Sequence, residues 1–356
     1  MQAENIRIDQ AFLHILDPGI ACPVLSDEPL VLDAELGDYL CAHVAKVIDS
    51  GDAKACSFQS DESPFYRSIL ELNAQTFPQT SRLLAERLFS LLTQHPDIPP
   101  ADVVFLWAHV QTAPETHPAG LQNASRLCRG DCDGARYLVI LKMNFRLQFM
   151  HYVDQEPEHV SNRIVPLRSV LPPSSGKVDE AVMVCMDDLS IKVLEKSYEI
   201  NGEKAFYLSG LYLACAWDHS PARKMDILTK TAKKVAEKYS GQPAEEAMAF
   251  KKAVQEVYEE KGEIEVAKVL DAVYQNREDI KQEFRQSLEK QQMSEPVVKV
   301  PETVVQKKVG KQTLKTDTGI EISIPIEQYR DGNAVEFINN PDGTVSILIK
   351  NVNRIR

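Results

Sequence analysis

Residues 220–241 read SPARKMDILTKTAKKVAEKYSG, and this stretch decides the fold class. Met225, Leu228, Ala232, Val235 and Tyr239 recur at alternating spacings of three and four, the period of one helix face. Ser220 stands where an N-cap belongs, Pro221 opens the first turn, and Gly241 closes the element. Before this point the apolar residues come in short, strand-like runs. After it they fall into helical stripes. Strand-rich and helical regions separated along the chain read as α+β.

Working upstream, Lys192–Tyr198 and Ala205–Tyr212 flank Asn201-Gly202, a pair that favours the positive φ angles of a tight hairpin turn. Ala181–Met186 and Val165–Val170 are short strand candidates, with a Pro172–Gly176 loop between them. Arg136–Val153 reads as one long strand or a hairpin, and Val103–Val110 as a buried strand. The segment 112–134 is polar and punctuated by Pro and Gly, hence loop-like. Nearer the start, Ile6–Leu16 and Lys54–Phe58 suit strands. Helical patterns begin at Asp33, Pro64 and Thr80.

Working downstream, helices are expected at about 244–260, 264–274 and 277–291. Residues 294–312 bear Pro and Lys and read as a connector. Alternation then returns at Ile320, Ile322, Ile324 and Ile326, at Val335 and Phe337, and at Val345, Ile347 and Ile349. Three regions follow: a mixed domain with a central antiparallel sheet over 1–218, a helical segment over 219–293, and a basic connector with a small β region over 294–356.

The 356-residue chain is acidic, with a net charge of −12, and 44% of its residues are hydrophobic. It has enough apolar residues to build cores, and global disorder is excluded. Its best apolar run, Ala205–Trp217, is too short to span a bilayer. The N-terminus does not read as a signal peptide, and the Asn123 sequon has no secretory context. Seven cysteines at irregular spacing argue against a disulfide framework and for reduced thiols in the cytosol.

No catalytic signature is present. There is no nucleophile elbow, phosphate loop or dinucleotide fingerprint. Cys128 and Cys132 lack the second closely spaced pair that a zinc site needs, so they read as ordinary thiols. Asp187-Asp188 after a strand reads as a turn. No catalytic residue, metal or cofactor is expected, and an enzyme with an unfamiliar site is the least favoured class.

Charge is the informative feature. The helix over 222–240 holds Arg223, Lys224, Lys230, Lys233, Lys234 and Lys238 against Asp226 and Glu237, six basic residues to two acidic, or +4. All but Lys224 lie opposite the apolar stripe. Residues 296–316 carry Lys299, Lys307, Lys308, Lys311 and Lys315 against Glu302, again +4. A solvated face and a solvated linker are the plain readings. A phosphate backbone or an acidic protein could use either. Aromatic residues for base stacking are missing from the helix face.

The tail reads TDTGIEISIP over 316–325 and VEFINNPDGTVSI over 335–347. This resembles the C-terminal region of the bacterial 37-kilodalton nucleoid-associated protein family. The opening Ile6–Leu16 with His14, the Gly262–Glu265 segment, the length and the element order agree with that resemblance. In one departure, the stretch Ser209–Trp217 has no Arg or Lys where the family commonly has a basic lead into the next helix. The resemblance implies association with the nucleoid and a non-enzymatic role, and it assigns no binding residue.

The expectation is a cytoplasmic nucleoid protein that binds double-stranded DNA or a DNA-bound protein, with no membrane contact. The candidate contacts are Arg223, Lys230, Lys233, Lys234, Lys238, Lys307, Lys308 and Lys311. Homo-oligomerisation stays open. The alternative is a protein-interaction or regulatory module whose acidic surface makes no nucleic-acid contact.

Overall fold

The computed structural model describes residues 3–61, 63–111, 134–156, 159–167, 170–330, 334–341, 344–352 and 354. The chain divides into two units, Met1–Asp218 and His219–Arg356.

The first unit runs β1 (Ile6–Leu16), β2 (Val24–Leu25), α1 (Ala34–Ile48), β3 (Lys54–Phe58), α2 (Pro64–Ile69), α3 (Phe77–Gln94), β4 (Ala101–Val110) and β5 (Ala135–Asn144). It continues with β6 (Gln148–Glu156), β7 (His159–Leu167), β8 (Glu180–Cys185), β9 (Ile191–Leu194), β10 (Tyr198–Ile200), β11 (Glu203–Ala205) and β12 (Cys215–Trp217). Eight of these strands form one antiparallel sheet in the order β12-β3-β9-β8-β5-β4-β1-β2.

Alternation along β4 explains the layering. Val103, Phe105 and Trp107 face a core shared with Leu84, Leu88 and Leu92 of α3. Val104, Leu106 and Ala108 face a second core shared with Leu40, Val44 and Val47 of α1. Side chains of a strand alternate between faces. With helices on both sides, every position of β4 between Ala101 and Ala108 is buried, so the strand reads as a continuous apolar run. Asp33 caps α1 by accepting from Leu36 N at 2.8 Å.

Two expectations in this unit are corrected. Arg136–Val153 is not one element. β5 ends at Asn144, and β6 pairs with β7 in a separate two-stranded ribbon. Nor is Ala205–Tyr212 a strand beyond its first residue. Leu208–Tyr212 forms a π-helical turn, and Glu195 Oε2 accepts from the backbone N–H groups of Leu208 (3.0 Å) and Ser209 (3.2 Å). A carboxylate from the segment after β9 thus satisfies donors that a strand would have used in pairing. The Asn201-Gly202 turn is present, with φ of 54° and 83°, and joins β10 to β11. The 112–133 stretch, including Cys128 and Cys132, lies outside the described residues.

The second unit runs α4 (Pro221–Tyr239), α5 (Pro243–Lys261), β13 (Ile264–Glu265), α6 (Val266–Tyr274), α7 (Glu278–Glu289), β14 (Val297–Val298) and α8 (Glu302–Val309). It ends with β15 (Lys311–Lys315), β16 (Glu321–Pro325), α9 (Ile326–Arg330), β17 (Val335–Asn339) and β18 (Val345–Ile349). Met225, Leu228, Phe250, Leu270 and Phe284 are buried in its core. The expected solvated connector is largely folded. Val298, Val300, Val304, Val305 and Val309 are buried in the same core, while Lys299 and Lys307 face outward. Interleaved lysines had given an apolar strand and helix the composition of a linker.

The tail forms the hairpins β15–β16 and β17–β18. Met248 of α5 packs with Ile324 and Val335 in a small satellite core. Among the described residues, no helix is long and apolar enough to cross a membrane.

Candidate nucleic-acid interface

Helix α4 positions most of the candidate cations. Ser220 caps it, accepting from Arg223 N at 3.3 Å, and Pro221 fills the first turn. The buried arc is wider than the apolar stripe suggests, because Ala222, Ile227, Thr231 and Ala236 are buried along with Met225, Leu228, Ala232 and Val235. Lys224 is buried too, and both Glu295 carboxylate oxygens accept from its ammonium at 2.9 Å.

The arc left in water carries Arg223, Lys230, Lys233, Lys234, Glu237 and Lys238. At about 100° and 1.5 Å per residue, Arg223, Lys230 and Lys234 lie within about 40° of one another on a line about 16 Å long. Among the described residues, none of these three forms an ion pair. Lys233 sits 3.7 Å from Glu237 and Lys238 2.8 Å from Glu283. The Tyr239 hydroxyl donates to the same Glu283 carboxylate. Hydrogen bonding to Glu283 and then to Tyr239 raises the Lys238 pKa.

The second basic segment lies against the first. Lys308 on α8 pairs with Asp226 on α4 at 2.6 Å. Lys307, one residue earlier, is exposed, and so is Lys311 at the start of β15. The Lys311 carbonyl accepts from Lys251 Nζ at 2.9 Å, and separately the Lys311 ammonium forms no ion pair among the described residues. The structure therefore gathers Arg223, Lys230, Lys234, Lys307 and Lys311 in one unit as cations with no ion pair among the described residues. It ties Lys233, Lys238 and Lys308 to carboxylates.

Charge divides with the fold. Residues 1–218 hold 17 basic and 30 acidic residues, a net of −13. Residues 219–356 hold 23 and 22, a net of +1. The acidity of the chain thus belongs to the sheet-bearing unit.

Other sequence candidates have structural roles. Asp187 accepts from the Arg136 guanidinium at 2.8 Å, and Asp188 accepts from Ser190 N at 2.9 Å, as a strand-end turn requires. Among the described residues, no group of three or more His, Cys, Asp or Glu is arranged to hold a metal ion. The sequence reading missed two buried ion pairs, Lys142–Glu180 at 2.9 Å and Lys54–Glu195 at 2.8 Å. Lys54 also lies between the rings of Phe206 and Trp217, at 3.7 and 3.8 Å from their centroids. A lysine inside a strand pattern was the only signal available for either.

The fold and these cations define a two-unit α+β protein, with an acidic sheet unit and a helical unit that presents basic side chains to solvent. The chain belongs to the family described as nucleoid-associated protein YejK, which matches residues 12–355. Comparison with curated proteins gave no match.

Proposed function

We propose that the protein works at the cytoplasmic nucleoid as a non-enzymatic binder of duplex DNA, using the second unit as its contact surface. Arg223, Lys230 and Lys234, with Lys307 and Lys311, neutralise phosphates. Lys233, Lys238 and Lys308 flank them as partly compensated charge. The observation that carries this reading is the line of unpaired cations on α4 in a protein that is otherwise acidic. Such a surface touches backbone and leaves bases unread, so binding is weak, insensitive to sequence and strongly dependent on salt.

Filter retention of a short duplex across a salt series tests it. Each phosphate contact contributes about 0.9 to the slope of log affinity against log salt. Replacing Arg223, Lys230 and Lys234 together by Gln is expected to flatten that slope by about 2.7. No retention at low salt by the folded protein ends the direct-binding reading.

A second reading is favoured by the −13 charge of the first unit. There the protein reaches the nucleoid through a basic protein partner. Co-purification that survives nuclease treatment and is abolished by salt supports this route.

A further inference from the structure

Two tyrosine–carboxylate pairs lie close together in the second unit, and they differ in one respect. In the first, Glu283 of α7 accepts from Lys238 Nζ with both oxygens at 2.8 Å and also from the Tyr239 hydroxyl. The Lys238 ammonium lies 4.8 Å from the centre of the Tyr239 ring. In the second, Tyr274 at the end of α6 neighbours Glu246 in the first turn of α5. No ammonium is present there. Tyr274 is only 5% exposed. Its hydroxyl and Glu246 Oε1 are both buried, and among the described residues neither has a hydrogen-bond partner. Burial, and then the nearby carboxylate, raise the Tyr274 pKa, so the hydroxyl keeps its proton. Two buried polar atoms left unsatisfied side by side call for a partner.

Both residues line one open cleft of about 350 Å³, within the size range of small-ligand sites. Val273 and Ile280 give it apolar wall, and Tyr239 and Arg277 complete it. Charge selects the ligand. Glu246 is the one carboxylate that lines the cleft among the described residues. Arg277 is exposed, and its Nε and Nη2 donate to Asp279 at 3.1 and 3.0 Å. An anion would therefore meet Glu246 with the nearest guanidinium already engaged. A hard metal ion would need more oxygen ligands than one carboxylate and one phenol supply. Val273 and Tyr274 are the last residues of α6, so the negative end of that helix also faces the cleft. The filled pair next door shows what completes a tyrosine–carboxylate pair in this unit, namely an ammonium on an alkyl stem.

We infer that this cleft binds a primary alkylammonium group. The ammonium donates to Glu246 Oε1 and to the lone pairs of Tyr274 Oη, its charge lies against tyrosine rings, and its methylenes lie against Val273 and Ile280. Such a group comes from two sources, a free alkylamine or the lysine side chain of a protein partner.

The test is calorimetric titration of the full-length protein, freed of DNA, in an amine-free buffer. Butylammonium is expected to saturate one site per chain. Butan-1-ol, which has the stem without the charge, and tetramethylammonium, which has the charge without N–H donors, are each expected to bind about tenfold more weakly or less. Glu246→Gln should weaken butylammonium roughly ten- to a hundredfold, and Tyr274→Phe roughly tenfold. Tyr274→Phe should also melt at the wild-type temperature, because its hydroxyl makes no internal hydrogen bond. It keeps the test decisive if Glu246→Gln fails to fold. Glu245→Gln removes the same charge one residue away, outside the cleft lining, and should leave binding unchanged. Absence of saturable binding overturns the proposal. So does equal weakening by Glu245→Gln and Glu246→Gln, which would mean diffuse attraction to an acidic protein, or tetramethylammonium binding as tightly as butylammonium. Putrescine and Nα-acetyl-lysine methylamide separate the sources. Tighter putrescine assigns the cleft to a free amine, and tighter lysine amide to a protein partner. Either order supports the ammonium site, and neither depends on DNA binding.

Discussion

Lys308 Nζ lies 2.6 Å from Asp226 Oδ1, and this half-buried pair fastens the connector helix α8 to the basic helix α4. It joins the two positive segments of the sequence into one surface, and it also cancels one cation with one of the two acids on α4. Removing the acid tests the electrostatic account directly. Asp226→Asn releases Lys308 and adds one positive charge to the surface. It is expected to steepen the salt slope for duplex binding by up to about 0.9, the contribution of one further phosphate contact. Lys308→Gln should leave the slope unchanged. The stability cost of either variant is expected to stay near or below about 1 kcal/mol, as for other solvent-accessible pairs.

The cations of α4 should not be equivalent. Lys230 and Lys234 have no carboxylate partner among the described residues, whereas Lys233 is near Glu237 and Lys238 is bonded to Glu283. A phosphate that captures Lys238 must first compete with Glu283. The double variant Lys230→Gln/Lys234→Gln is therefore expected to lower the salt slope by about 1.8, and Lys233→Gln/Lys238→Gln by clearly less. Equal losses from the two doubles would show that binding senses total charge and not this stripe.

Much of this surface could be read from sequence, because its signals are local. Ser220, Pro221 and the three-four spacing of Met225 to Tyr239 place α4 without help from elsewhere. Strand β4 likewise covers the expected Val103–Val110, as its β-branched and aromatic run indicates, and β1 and β3 run from Ile6 to Leu16 and from Lys54 to Phe58, as expected. What escaped depends on distant partners. Lys238 meets Glu283, Lys224 meets Glu295 and Lys308 meets Asp226, across 45, 71 and 82 residues of sequence. The π-turn at Leu208 depends on Glu195, which no local pattern announces. The break after Asn144 went unseen because no Gly or Pro marks it, so the ribbon β6–β7 merged into its neighbour.

The buried pair Lys142–Glu180 makes a sharper stability prediction. Lys142 and Tyr207 both donate to Glu180 Oε2 at 2.9 Å, and all three side chains are buried. Burial lowers the Lys142 pKa, and Glu180 opposes that shift. Glu180→Gln leaves a buried ammonium without its counter-charge and is expected to cost about 3–5 kcal/mol. Adding Lys142→Met to that variant removes the stranded charge, while the new amide oxygen still accepts from Tyr207. The double variant should therefore be more stable than Glu180→Gln alone, as urea unfolding of each would show. A double variant less stable than the single would mean that Lys142 contributes mainly through packing.

His14 should make the first unit sensitive to acid. Its ring is buried between α3 and the sheet. Nδ1 accepts from Ser26 N at 3.1 Å, so Nε2 carries the proton and donates to Ser81 Oγ at 3.2 Å, which in turn donates to the Pro78 carbonyl at 2.8 Å. This arrangement needs a neutral ring. Burial, and then the Arg82 charge, lower its pKa from 6.5 to about 4. The folded value is depressed, so the unfolded chain takes up the proton first as pH falls. The stabilisation from the neutral ring is complete above pH 6.5 and is lost as pH falls towards 4, by about 3 kcal/mol in all. His14→Gln can keep one donor and one acceptor but does not titrate. The gap in unfolding free energy between wild type and His14→Gln is therefore expected to shift by about 3 kcal/mol in favour of the variant between pH 7 and pH 4. A gap that stays constant over that range would mean that His14 titrates alike in the folded and unfolded chain.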